Sequence, residues 1–430
     1  MSSSKFADSK HISVLPNGVS IASDFMPHAS SISAGLWLPI GSASENSKNN
    51  GLGHFYEHLV FRGTKKRSAF QIAKEIEDLG GHLNAYTSRE ATCFYVHIVR
   101  EHLQTAVRVL ADLVMESKLS TADFAKEKNV ILEEISAIED NPEELSDDFF
   151  HKAHFKGCGF ALPITGSLHS VKNLDISEIR ERQKFILEKL PILLSVAGAV
   201  EHGQLLKICE KLFSKKTGSE NLPYIPYFTN SGTAILQKHI QQAMVLWGTS
   251  REGLIAKEAR ALQIFSYVFG DGFTSRLFQN IREKYGLVYS INSSFENSIQ
   301  RTIGNKNSVK FQISFATEPQ NLERVTDLIH NEMKNFLKNG FSKKELERTK
   351  QGIIGSYKLS GDSISSRQNR LARQVLRYGH AINANKTVMQ INEMEPDYIE
   401  DFVHRFVKNS NWTLAAIVPK KSEAKLNCEF

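Results

Sequence analysis

One pattern of elements occurs twice along the 430 residues of this chain. Residues 91–99 form an apolar stretch typical of a strand, and residues 103–114 carry apolar side chains at helical spacing. A short polar loop then opens a charged helix, for which Ser120 or Thr121 is a plausible N-cap. The same order returns roughly 220 residues later, ending in a charged helix after Ser342. The repetition indicates two structurally related halves, and coincidence among common elements is the open alternative.

The two halves predict an α+β protein of two domains, because 430 residues exceed what one hydrophobic core usually organises. The stretch 214–232 is polar and weakly periodic, which favours a junction there. We therefore expect one domain over 1–220 and a second over 221–430, each a mostly antiparallel sheet packed with helices. Asn17-Gly18 between two apolar runs predicts a hairpin at the start of the first sheet.

The composition argues against several classes of protein. The net charge of +6 is spread along the chain without a basic run between aromatics, so we expect no nucleic-acid partner. No run of eighteen apolar residues occurs, so we expect no membrane span. The four cysteines form no CxxC pair, and the N-terminal stretch lacks an apolar signal region. These features together predict a cytoplasmic protein.

The strongest local motif is the run His54-Phe55-Tyr56-Glu57-His58. On a helix, residues four apart lie about 40° apart on one face, so both imidazoles can reach one tetrahedral Zn²⁺. Glu57 points to the same side and can serve as general base on a water bound to that metal. This order is the inverse of the commoner His-Glu-x-x-His and is a known zinc-peptidase signature. The open alternative is a pair of half-buried histidines on an amphipathic helix.

A catalytic zinc site needs a third protein ligand and an open position for water. The charged segment 127–139 offers four glutamates on a separate predicted helix, Glu127, Glu133, Glu134 and Glu139. Glu133 and Glu134 are adjacent and must face different sides of a helix, so only one of them is expected to face the metal. Periodicity alone does not choose among the four.

A family resemblance selects one of these four glutamates as the third ligand. The chain resembles the pitrilysin/insulinase family of inverted zincins, in the branch of bacterial processing proteases and mitochondrial processing peptidase β-subunits. The resemblance rests on Gly41-Ser42 with Glu45, Asn49-Asn50-Gly51, His54 to His58, Phe61 to Thr64, Gly80 to Thr87, Val130 to Ile135, Ser275 to Gln279 and Ile281 to Tyr289. It implies Glu134 as the third ligand of one Zn²⁺ per chain, Glu127 as a supporting acid near the metal, and a processing-peptidase-like α/β roll.

The resemblance also implies roles for residues that the pattern alone would pass over. Arg282 and Tyr289 match a pair that binds substrate and polarises the scissile carbonyl. From the local pattern alone, Arg282 is an ordinary arginine at a helix end and Tyr289 an ordinary tyrosine of a strand. Asn84 matches a strand edge for extended substrate, or is simply a turn residue after Gly80-Gly81. Glu144 and Asp148 match acids that receive basic substrate side chains, or belong to a solvated acidic helix after Pro142. In the second half, positions 276–280 read Arg-Leu-Phe-Gln-Asn and keep no metal ligands.

These expectations combine into a zinc-dependent endopeptidase that hydrolyses peptides or unfolded segments in an enclosed chamber, with His54, His58 and Glu134 on the metal. The resemblance implies a homodimer. The alternative is a noncatalytic assembly or substrate-binding subunit of a hetero-oligomeric complex, which loss of a metal-site residue or of the Arg/Tyr pair would mark; all are present.

Overall fold

Thirteen strands and fourteen helices can be placed in the computed structural model of the chain, which describes residues 9–222, 224–300, 306–420 and 426–430. The strands are β1 Lys10–Val14, β2 Ser20–Phe25, β3 Ser31–Leu38, β4 His82–Thr87, β5 Thr92–Val99, β6 Phe155–Lys156, β7 Leu193–Gly198, β8 Phe228–Thr229, β9 Gly232–Lys238, β10 Ala243–Leu254, β11 Val288–Asn297, β12 Asn307–Thr317 and β13 Thr413–Pro419. The helices are α1 Leu52–Val60, α2 Ala69–Glu77, α3 Leu103–Glu116, α4 Thr121–Asp140, α5 Pro142–His154, α6 Leu168–Asn173, α7 Ile176–Glu188, α8 His202–Leu212, α9 Ala256–Gly270, α10 Leu322–Asn339, α11 Lys343–Leu359, α12 Ile364–Tyr378, α13 Ala384–Asn392 and α14 Pro396–Lys408.

Two separate sheets divide these strands. The first has the order β1-β2-β7-β3-β5-β4, with β2 and β7 parallel and the other pairs antiparallel. The second has the order β11-β12-β10-β13-β9, with β13 and β9 parallel. Each sheet has its own large apolar core against helices. The predicted α+β class with two mostly antiparallel sheets is therefore confirmed, while the boundary at residue 220 stays a prediction.

The two halves exchange one helix each. Helix α5 follows α4 of the first half but packs on β13 and β10 of the second sheet, where His154 Nδ1 lies 3.0 Å from Thr413 Oγ1. Helix α12 of the second half packs on β7, β3 and β2 of the first sheet, where Ser195 Oγ donates to the Gln368 carbonyl at 3.0 Å. Because each sheet is covered partly by the other half, the strands β3 and β7 are buried almost throughout.

Helix α1 is fixed at its N-terminus by a buried carboxylate. Glu45 accepts from the backbone N–H groups of Gly51 and Gly53, each at 2.7 Å, which satisfies donors that have no partner inside the helix. Gly51 has φ of +92°, and a Cβ there would lie 2.7 Å from the Thr165 carbonyl oxygen, so the entry into α1 requires glycine. Phe55 stacks on Phe124 of α4 with centroids 4.6 Å apart, which aligns the two helices that carry the predicted ligands.

Within the described ranges, every helix is too short or too polar to cross a lipid bilayer.

Candidate active site

His54 and His58 lie one turn apart on α1 with their ring centroids 4.5 Å apart. Glu134 of α4 faces them, with Oε1 3.6 Å from His54 Nε2 and Oε2 3.5 Å from His58 Nε2. One ligand atom from each of the three residues lies within 4.8 Å of the others. Metal–ligand bonds of about 2.0–2.2 Å at tetrahedral angles set ligand atoms roughly 3.3–3.6 Å apart, so this donor set fits a zinc ion with little adjustment.

The other three carboxylates of α4 take different positions. Glu133 and Glu139 are exposed on the helix. Glu127 is buried, and its Oε2 lies 3.2 Å from His58 Nδ1, the ring nitrogen on the far side from Glu134. Its Oε1 pairs with Arg62 Nη2 at 2.5 Å. A carboxylate in this position fixes the imidazole orientation and keeps Nε2 available as a ligand atom.

The electrostatics of the three ligand residues suit metal binding. Burial lowers the pKa of His54 to about 4, so its imidazole is neutral at physiological pH. Burial also lowers the pKa of His58, but hydrogen bonds with Glu134 and Glu127 outweigh it and the net pKa is raised. The His58 hydrogen bond holds the pKa of Glu134 below its usual value, which keeps that carboxylate ionised. Metal ligands must be unprotonated, and two of these three already are.

Glu57 is oriented by a threonine that the sequence reading did not single out. Thr87 Oγ1, at the end of β4, donates to Glu57 Oε2 at 2.6 Å and lies 3.2 Å from Thr92 Oγ1 of β5. Burial raises the pKa of Glu57, partly offset by this hydrogen bond. A half-buried carboxylate with a raised pKa beside a set of potential metal ligands has the properties of a general base.

These residues open into a cavity of about 400 Å³, which we call the metal-site cavity. It lies beside β4, the edge strand of the first sheet, and Asn84 is exposed on that strand. Its wall contains His54, Glu57, Ala85, Tyr86, Thr87, Glu134, Ile138, Glu144, Asp147, Asp148, Ile164 and Thr165. The exchanged helix α5 thus brings the predicted acids Glu144 and Asp148 into the wall.

Part of this acidic wall is already paired within the chain. Arg89 donates through Nη1 to Asp147 at 2.7 Å and through Nη2 to Asp148 at 2.8 Å. Glu144 Oε1 accepts from Asn141 Nδ2 at 2.8 Å. Arg89 therefore occupies the position at Asp148 that a basic substrate side chain would take, a contact that the sequence reading did not anticipate.

Arg282 and Tyr289 lie together but outside the wall of this cavity. Arg282 sits on a π-helical turn, Phe278–Glu283, with its guanidinium 4.6 Å from the Phe278 ring centroid and 5.7 Å from that of Tyr289. Tyr289, on β11, is 81% exposed. In the described part of the chain, neither residue contributes to the wall of the metal-site cavity.

The sequence is similar to proteins named zinc proteases over nearly its whole length. Residues 20–167 match the family model described as insulinase (peptidase family M16), and residues 183–353 match the one described as peptidase M16 inactive domain. The chain is 30% identical over 410 residues to an "uncharacterized zinc protease" of Rickettsia bellii (strain RML369-C), covering 95% of this chain and 97% of that protein. A similarly named protein of Bacillus subtilis (strain 168) is 29% identical over 412 residues, covering 94% and 97%. The chain therefore belongs to the insulinase family, peptidase family M16.

Solved structures agree with the fold. "The crystal structure of a protease from Helicobacter pylori" superposes with a TM-score of 0.84 at 19% identity, covering 96% of this chain and 100% of the other. A "peptidase M16 inactive domain from Pseudomonas fluorescens" gives the same TM-score at 16% identity, covering 97% and 100%. The predicted family membership is confirmed.

Proposed function

We propose that this chain is a zinc-dependent endopeptidase that hydrolyses peptides or unfolded segments, with one Zn²⁺ held by His54, His58 and Glu134. The observation that carries the proposal is the grouping of one ligand atom from each of these residues within 4.8 Å of the others, with His54 and Glu134 in a cavity wall that also contains Glu57. Three protein ligands leave one coordination position open, which is the arrangement of catalytic rather than structural zinc sites.

The chemistry divides between the metal and the residues of the chain. Zinc, when bound, polarises a carbonyl oxygen and lowers the pKa of a water molecule. Glu57 takes the proton of the attacking water at Oε1, because Oε2 is held by Thr87, and returns it to the leaving amine. Glu127 and Arg62 hold the ring of His58 in place from behind.

Substrate binding fits the free edge of β4. An extended peptide can add to that edge as a further strand, so that main-chain hydrogen bonds provide affinity with loose sequence preference. Asn84 lies on this edge strand, and Glu144 and Asp148 lie in the wall of the cavity beside that strand. We assign substrate contacts to these three residues, with Glu144 more available than Asp148 because Arg89 pairs with the latter.

The proposal includes a homodimer that encloses the site in a chamber. Arg282 and Tyr289 are proposed to stabilise the oxyanion, and their position outside the wall of the metal-site cavity favours their supply by a second copy of the chain. Active material sized by sedimentation should then contain two chains per particle. We also propose the cytoplasm as the compartment, because all four cysteines are free and three of them are buried.

The purified chain should cleave a quenched-fluorescent library of unfolded peptides, lose that activity in a chelator, and recover it when Zn²⁺ is restored. A chain that binds one zinc yet cleaves nothing in the library would support the noncatalytic subunit instead. A chain that neither binds zinc nor cleaves would refute the proposal.

Thr87→Val should lower kcat about 10- to 100-fold with zinc content unchanged, because a hydrogen bond to a charged group contributes about 1.5–3 kcal/mol. Thr87→Ser keeps the hydroxyl and should restore most of the activity. Thr92→Val is the matched control. The Thr92 hydroxyl contacts the Thr87 hydroxyl, whereas it is Thr87 that donates to the Glu57 carboxylate. Equal losses in Thr87→Val and Thr92→Val would indicate a packing effect and contradict the orienting role.

A further inference from the structure

The residues Ser88 to Ala91 connect β4 to β5 and form a tight turn, which we call the β4–β5 turn. Hydrogen bonds close it, from the Ser88 backbone N–H to the Ala91 carbonyl at 2.8 Å and from the Ala91 backbone N–H to Ser88 Oγ at 3.0 Å. Thr87, whose hydroxyl donates to Glu57 Oε2, is the residue directly before this turn. Because the turn is short and closed, its position also sets the position of the Thr87 hydroxyl.

Backbone contacts tie the β4–β5 turn to the first half of the molecule. The Ser88 carbonyl accepts from the Ser42 N–H at 3.2 Å, and the Arg89 carbonyl accepts from the Ala43 N–H at 2.8 Å. A Cβ at Gly41 would lie 2.2 Å from the Ser88 carbonyl oxygen, so this close approach requires glycine. The turn therefore packs directly on the segment that precedes α1.

The side chain of Glu90 ties the same turn to the second half. Its Oε1 accepts from the Ser298 hydroxyl, and its Oε2 accepts from the Ile299 backbone N–H at 3.1 Å. Ile299 is buried in an apolar cluster that also contains Trp37 and Cys93 of the first sheet. Hydrogen bonds to an ionised carboxylate are stronger than those between neutral groups, so Glu90 links the halves firmly.

The segment that receives Glu90 is itself fixed within the second half. The Ser298 backbone N–H donates to the Ser308 carbonyl of β12 at 2.9 Å. The Asn297 carbonyl accepts from Arg373 of α12, also at 2.9 Å. These contacts hold the segment against β12 and α12, so Glu90 is attached to regular structure of the second half.

We propose that Glu90 is a positioning residue for the general base, because it fixes the β4–β5 turn and thereby the Thr87 hydroxyl that orients Glu57. In the described part of the chain, Glu90 is neither among the grouped metal ligands nor in the wall of the metal-site cavity. A displacement of about 1 Å at a catalytic group can cost about 10²-fold in rate, so an indirect support of this kind affects turnover. The inference rests on the proposed peptidase function and adds to it a contribution from the second half.

The test uses the full-length chain loaded with zinc and a quenched-fluorescent unfolded peptide that the wild-type chain cleaves. Glu90→Ala should lower kcat at least about fivefold, with one zinc per chain and KM within about twofold of wild type. Glu90→Gln keeps an acceptor for the Ile299 N–H and should stay within about threefold of wild type. Glu101→Ala is the matched control, because Glu101 is an exposed acid beyond the far end of β5 that pairs with Arg100, and its kcat should change less than about twofold.

A double substitution separates positioning from a general packing effect. If Glu90 acts through Thr87, adding Glu90→Ala to Thr87→Val should lower kcat less than about twofold further, because the hydroxyl that it positions is already gone. Independent effects would multiply, and the double variant would then lose about fivefold more or worse. Ser298→Ala removes one partner of Glu90 from the second half and should lower kcat at least about twofold with zinc unchanged.

The outcomes separate this proposal from the peptidase proposal. If the wild-type chain cleaves no peptide, the peptidase proposal fails and the positioning role fails with it. If Glu90→Ala lowers kcat less than about fivefold, loses zinc, or combines multiplicatively with Thr87→Val, the positioning role is refuted and the peptidase stands. Should Glu90→Ala not fold, the same comparison with Ser298→Ala in its place decides, and multiplicative effects there refute the role.

Discussion

Glu134→Gln should remove stoichiometric zinc from the chain, whereas Glu133→Gln should leave one zinc per chain. The two residues are adjacent on α4, but Glu134 lies 3.5–3.6 Å from the Nε2 atoms of both histidines and Glu133 is exposed. A neutral amide is a poor zinc ligand, and the two histidines alone would fill only two of the four tetrahedral coordination positions. The loss of affinity should exceed the roughly 10- to 100-fold that follows removal of a residue supporting a ligand.

Zinc per chain after dialysis, and affinity by competition with a chromogenic chelator, measure this effect. Peptidase activity should fall with zinc occupancy in Glu134→Gln and remain within about twofold of wild type in Glu133→Gln, as for most exposed substitutions. Matching circular dichroism spectra of the two variants would exclude unfolding as the cause. Full zinc occupancy in Glu134→Gln, or loss of zinc in Glu133→Gln, would contradict the ligand set.

The fold was predictable to the extent that it depends on local periodicity. The repeated strand–helix–helix pattern corresponds to β5-α3-α4 and β12-α10-α11, and the Asn17-Gly18 turn joins β1 to β2. The exchange of α5 and α12 was not predictable in this way. Both helices are amphipathic, and periodicity gives the face that is buried but not the sheet that buries it. That choice depends on contacts between residues far apart in sequence, such as His154 with Thr413.

The site shows the same limit. His54 and His58 are four residues apart on one helix, so their proximity follows from helix geometry. Glu134 needed the family resemblance, because four glutamates on α4 fitted the pattern equally well before the packing of α1 on α4 was known. Thr87 and Arg89 escaped notice since their partners are 30 and 58 residues away in sequence, and a hydroxyl or guanidinium on a strand end carries no periodic signal.

Helix α5 connects these observations. It leaves the first half directly after α4, crosses to the second sheet, and places Asp147 in the wall of the metal-site cavity. The ion pairs of Asp147 with Arg89 and Lys310 therefore join the strand-end loop beside β4 to β12 of the other half. Asp147 thus lies in the wall of the metal-site cavity and also pairs with residues of both halves.

Glu57→Gln should lower kcat by about 10²- to 10⁴-fold, the range for loss of a general base, while zinc stays at one per chain and KM changes little. Glutamine is the sharpest substitution here because Thr87 can still donate to its amide oxygen, so the side chain keeps its orientation and loses only the ability to accept a proton. Zinc analysis and steady-state kinetics on one preparation measure both quantities. Retained activity would assign the base elsewhere, and loss of zinc together with activity would place Glu57 among the ligands, against the group formed by His54, His58 and Glu134.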